Sequence, residues 1–96
     1  MSRFPASTID LAFVLDDTVP AGAVQATLAA TGGALLESVR CFDVFRSDAL
    51  GPNKVSVAFA LRFRAPDRTL TDEEVGALRQ AGIDAVAAAF AAELRA

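Results

Sequence analysis

Histidine, tryptophan and tyrosine are missing altogether from these 96 residues, and cysteine occurs once. Histidine is the commonest general base and metal ligand. Without it no Ser-His-Asp or Cys-His catalytic group can be assembled within the chain. Cys41 standing alone rules out an internal disulfide. It also leaves any zinc site to one thiolate and carboxylates, a poor donor set for that metal. A chain without disulfides fits a cytoplasmic setting. The longest apolar run is the eight residues 85–92, far short of the roughly 20 that a membrane-spanning helix needs. The opening MSRFPAST has no apolar segment of the kind that marks a secretory signal.

Positive charge is also scarce. The net charge is −3, which argues against a free-standing, high-affinity nucleic-acid binder. The distribution is uneven, however. Arg40, Arg46, Lys54, Arg62, Arg64 and Arg68 face only Asp43, Asp48 and Asp67 across the middle of the chain, a local +3, while the remainder carries −6. An acidic protein with a basic centre can be an ordinary solvated strand pair or an anion-facing surface. What the chain does have is apolar residues, 53% of the total, enough for the core of one domain.

The apolar pattern orders the elements. In Thr8–Leu15, Ile9, Leu11, Phe13 and Leu15 share one face, which reads as a strand at least half buried. Pro20 stands where a first helical residue is favoured. Val24 and Leu28 give the following helix an apolar stripe, and Gly32-Gly33 supplies its stop. Leu35–Arg46 reads as a second strand, apolar on both faces, so its register stays open and a bulge is plausible. Ser47–Asn53 has hairpin-loop composition. Lys54–Arg64 alternates strictly. Val55, Val57, Phe59, Leu61 and Phe63 face a core, and Lys54, Ser56, Ala58, Ala60, Arg62 and Arg64 form a flat basic surface.

Arg68–Val75, RTLTDEEV, places three carboxylates in a row. With no ligand or acid/base partner beside them, they read as a helix start. Thr71 is the N-cap and Glu74 can reach back to it, while Leu70 and Val75 staple the entry. The helix is expected to run to about Ala89, with Val75, Leu78, Ile83, Val86 and Phe90 as its apolar contacts and Gly76 and Gly82 weakening it. Ala91–Arg95 reads from its residues as a frayed turn rather than a strand. The order strand, helix, strand, strand, helix, with or without a last strand, is the α+β, ferredoxin-like βαββαβ architecture. That fold is a four-stranded antiparallel sheet with two helices on one face.

Several stretches, in order, carry a resemblance. SRFPA (2–6), DLAFVLD (10–16), VPAG (19–22), FDVF (42–45), the Lys54-x-Ser56 pair and TLTDEEV (69–75) are similar to the ferredoxin-fold anticodon-binding domain, the C-terminal module of bacterial phenylalanyl-tRNA synthetase β subunits. The resemblance covers nearly all of the chain, and residues 1–96 read as one domain. It implies a piece of a longer subunit, with the active site on a partner α subunit and ATP and magnesium used by the parent enzyme. It implies no cofactor, active site, membrane or DNA partner in this domain, phenylalanine tRNA as the ligand, a cytoplasmic location, and a strand at the chain's last residues. Three departures stand out. Thr8 and Ile9 replace two basic residues usual in the family, Phe45 stands where tyrosine is frequent, and Ala91 replaces a glycine.

The surface pattern and the resemblance meet on the helix-free sheet face. Unstacked anticodon bases are recognised by stacking and by polar contacts to base edges, and phosphates by lysine and arginine. Lys54, Arg62 and Arg64 are candidate phosphate or sugar contacts, Ser56 a hydrogen-bonding group and Phe45 a stacking platform. Each has an ordinary alternative. Phe45 fits a core equally well, with Phe42 competing for the exposed place. The arginines can simply solubilise the sheet, Lys54 can guard a hairpin edge, and Ser56 can be a neutral surface serine. Cys41 reads as a small buried hydrophobe, and Asp10 has no partner legible in one dimension. The main rival class is a ferredoxin-like regulatory module that binds a small effector or dimerises, and Asp16-Asp17 in place of a glycine-rich ligand turn weighs against it.

Overall fold

The computed structural model describes residues 4–95. Its elements are β1 (Ser7–Asp16), α1 (Ala21–Gly32), a 3-10 turn (Gly33–Leu35), β2 (Leu36–Phe45), a second 3-10 turn (Asp48–Leu50), β3 (Lys54–Phe63), α2 (Asp72–Phe90) and β4 (Glu93–Leu94). The strands lie in the order β2-β3-β1-β4, every neighbouring pair antiparallel. This is the ferredoxin-like arrangement that the element order implies.

The period-two pattern of β3 does what it predicts. Val55, Val57, Phe59, Leu61 and Phe63 are all buried, and they meet Leu11, Phe13 and Leu15 of β1, Val24 and Leu28 of α1, and Val86 of α2. Sealing a phenylalanine or leucine from water stabilises by about 1.5–3 kcal/mol each, so this double row under the helices fixes which sheet face is open. Gly82 lets the helices close together, since a Cβ there would sit 3.2 Å from Leu28 Cδ2. The glycine that looks like a weak point in the α2 sequence is thus a packing point.

Several boundaries differ from the sequence pattern. Pro20 is the N-cap and not the first helical residue. Its ψ of 138° is extended, and its carbonyl accepts the Ala23 N–H at 3.1 Å. Gly33 terminates α1 at φ 60°. β2 carries two register irregularities, between Leu36 and Ser38 and between Cys41 and Asp43. They explain its two-sided apolar pattern: Val39 and Cys41 pack on the core, whereas Phe42, Val44 and Phe45 are exposed. Cys41 is half buried.

α2 starts as RTLTDEEV dictates. Thr71 Oγ1 accepts the Glu74 N–H at 3.1 Å, and Glu74 Oε1 accepts the Thr71 N–H at 3.1 Å. The helix ends at Phe90 on a left-handed Ala91, φ 52° and ψ 33°. The last residues are not the frayed turn that their composition suggests. Glu93 and Leu94 pair with Val14 and Phe13, and the Arg95 N–H donates to the Ala12 carbonyl at 2.7 Å. The family resemblance, rather than periodicity, anticipates this strand. No helix among the described residues is long and apolar enough to cross a membrane.

Candidate nucleic-acid interface

Directly paired residues of adjacent strands point to the same sheet face, so the ladders lay out the open face row by row. Asp16 lies beside Lys54. Next come Glu93, Val14, Ser56 and Phe45, then Ala12, Ala58 and Asp43, then Asp10, Ala60 and Arg40, and finally Thr8, Arg62 and Ser38. The second bulge of β2 is what turns Phe45 outward, next to Ser56; it is 42% exposed.

The centre of the face is a floor of small side chains, Ala12, Ala58 and Ala60. Its rim holds Phe45, Asp43, Arg40 and Arg95. Arg95 leaves the β4 edge and reaches back over the floor until its guanidinium carbon lies 5.2 Å from the centroid of the Phe45 ring, a cation–π contact. Ser56 sits in the row between Phe45 and Val14 and is only 4% exposed. The residue is therefore buried on the open side and is not a free surface serine.

The basic residues divide. Lys54 and Arg62 are eight positions apart on β3, about 26 Å at strand rise, so they occupy opposite ends of the face. At the Arg62 end Glu37, displaced by the first β2 bulge, takes both arginines. Its Oε2 accepts from Arg62 Nε at 2.7 Å and its Oε1 from Arg64 Nη1 at 3.2 Å. The Arg64 side chain is 20% exposed, and its Nε is buried without a hydrogen-bond partner among the described residues. At the other end Lys54 lies across from Asp16. The Thr18 backbone N–H holds the Asp16 carboxyl below its ordinary range, with the Thr18 hydroxyl and Lys54 adding to the effect. A shallow cleft of about 320 Å³ there is lined by Arg46, Lys54, Asp17 and Asp48 among others. With as many acids as bases, it offers an anion no net attraction.

The family model of the ferredoxin-fold anticodon binding domain matches residues 2–95. The chain belongs to this family. It is 50% identical over 95 residues to the phenylalanine–tRNA ligase beta subunit of Corynebacterium glutamicum, covering 99% of this chain and 11% of that protein. It is equally similar to the protein of the same name from Streptomyces avermitilis, 50% over 95 residues. To that of Geobacillus kaustophilus it is 44% identical over 93 residues, covering 97% of this chain and 12% of the relative. The chain thus spans about a tenth of the length of the curated relatives it matches.

Within this anticodon-binding fold the structure brings Phe45 and Ser56 together, sets Lys54 one row beyond them, and keeps Arg62 and Arg64 apart at the far end. Arg40, Asp43, Arg95 and Glu37 are rim or clamp residues that the sequence pattern does not single out. Only a fixed β2 register and a paired β4 could have revealed them. Asp10 is exposed beside Ala60 and forms no ion pair among the described residues. No group of three or more Cys, Asp or Glu side chains among the described residues is placed to hold a metal ion.

Proposed function

We propose that the chain is the tRNA anticodon-binding module of a phenylalanine–tRNA ligase β subunit and that it receives the anticodon stem-loop on the open sheet face. The observation that carries this is the aromatic ring of Phe45 lying beneath the Arg95 guanidinium, at the edge of an alanine floor. An unstacked base needs a flat apolar partner, a cationic plane and room to approach. Here Ala12, Ala58 and Ala60 provide the room, and Phe45 and Arg95 provide the two planes. On this proposal a base enters between or beside those planes, next to Ser56. Asp43, on the same rim, accepts N–H groups from the base edge. Lys54 holds a phosphate or sugar at one end, and Arg62 and Arg64 do so at the other.

The parent would be a cytoplasmic enzyme in which a partner α subunit performs the ATP- and magnesium-dependent aminoacylation. This chain would contribute tRNA contact and no active site, and it would need no cofactor of its own. Titration of a labelled phenylalanine anticodon stem-loop tests the proposal. Phe45→Ala is expected to cost about 1–3 kcal/mol of stacking. Replacing Lys54, Arg62 and Arg64 by alanine is expected to flatten the salt dependence by about 0.7 for each lost phosphate contact. Unchanged affinity in both variants would move the site off this face. Saturable binding of a free amino acid, with no RNA binding at any salt, would indicate a regulatory module instead.

A further inference from the structure

We propose that Glu37 is a specificity-determining residue: by occupying Arg62 and Arg64 it suppresses binding to RNA backbone alone, so that stable binding depends on a base reaching the Phe45 platform. This rests on the open-face interface proposed above. The two guanidiniums and one carboxylate leave a single net positive charge, and both oxygens of Glu37 are already engaged, at 2.7 and 3.2 Å. A carboxylate bridging two guanidiniums uses the same donor geometry that a phosphodiester would use. A phosphate must therefore displace Glu37 instead of meeting free arginines. Of the two, Arg62 is the one that can be presented, being 48% exposed against 20% for Arg64. An exposed pair of this kind is weak in absolute terms. It yields when a docked base holds the backbone close and withholds the arginines when nothing does.

The experiment compares the intact stem-loop with the same stem-loop made abasic at the three anticodon positions. Glu37→Gln keeps the shape and removes the charge. One charge unmasked about 4 Å from a phosphate in water is worth about a factor of five. Glu37→Gln is thus expected to tighten abasic-loop binding about fivefold at low salt and to steepen its log K against log salt slope by about 0.7. Glu37→Ala should give the same gain, and adding Arg62→Ala should cancel it. If neither Glu37 variant strengthens abasic binding, or if either weakens it, the proposal is overturned and Glu37 instead orients the arginines toward RNA. Phe45→Ala keeps the two ideas separable. It should weaken the intact loop and leave the abasic loop unchanged, and its failure to weaken the intact loop counts against the platform whatever Glu37 does.

Discussion

Replacing Ala91 by glycine should stabilise the protein. Ala91 closes α2 in the left-handed region, φ 52° and ψ 33°, with its N–H on the Ala87 carbonyl at 3.0 Å. From there the chain turns sharply, buries Ala92 and pairs Glu93 and Leu94 with β1. A Cβ in that conformation costs about 1–2 kcal/mol. Glycine gives back about 0.4–1 kcal/mol through the greater freedom of the unfolded chain. Ala91 is exposed, so no packing is lost. The net gain is about 0.5–1 kcal/mol, and at about 4–8 °C per kcal/mol for a domain of this size the thermal midpoint rises by about 2–8 °C. Urea unfolding should show a higher midpoint with an unchanged slope. Gly33→Ala is the opposite control, because Gly33 ends α1 at φ 60° and ψ −147°, where a side chain is strained. If Ala91→Gly leaves the urea midpoint unchanged or lowers it, the left-handed cap is not a source of strain.

Other perturbations test the remaining elements. Thr71→Ala removes one arm of the α2 capping box and should cost about 1 kcal/mol in urea unfolding; a loss near zero would mean that the cap is redundant. Gly32→Ala puts a methyl group 2.6 Å from Leu36 Cβ, and such overpacking should destabilise by about 1–3 kcal/mol. The Arg68 guanidinium, and then the Thr71 N–H, hold Glu74 below the ordinary glutamate value of 4.5, and Asp16 is held below 3.8. Both folded values lie under the unfolded ones, so the unfolded chain takes up more protons as acid is added. That stabilisation is whole above these ordinary values and is lost as the pH falls through the folded ones. The thermal midpoint should therefore fall on acidification below pH 4.5, and more gently in Glu74→Gln; equal acid limbs in the two proteins would contradict the assignment.

How much of this is legible in the sequence depends on the range of the interaction. The alternation of Val55 to Phe63 and the Thr71–Glu74 box are local signals, and both appear in the structure as the sequence implies. β2 is less legible because two bulges change its phase, so its apolar residues serve the core at Val39 and Cys41 and the surface at Phe42 and Phe45. β4 is two residues long, too short to show a period, and its pairing depends on backbone groups of β1 that no side-chain pattern reports. The site follows the same division. The alternation of β3 puts Lys54, Ser56, Arg62 and Arg64 on one face, whereas the outward place of Phe45 depends on the β2 bulge and is not legible in the sequence. The Arg95–Phe45 contact and the Glu37 clamp join residues far apart in the chain. Such pairs are set by sheet order, which places β4 and β2 at opposite edges of one face.

The most direct measurement of the central claim is amide chemical-shift mapping of the isotopically labelled chain during titration with the anticodon stem-loop. Saturable shifts are expected at Phe45, Ser56, Ala58, Ala60 and Arg95, across the floor and rim, with the outward sides of α1 and α2 unmoved. Shifts confined to the helices, or spread evenly with no saturation, would contradict recognition on the open sheet.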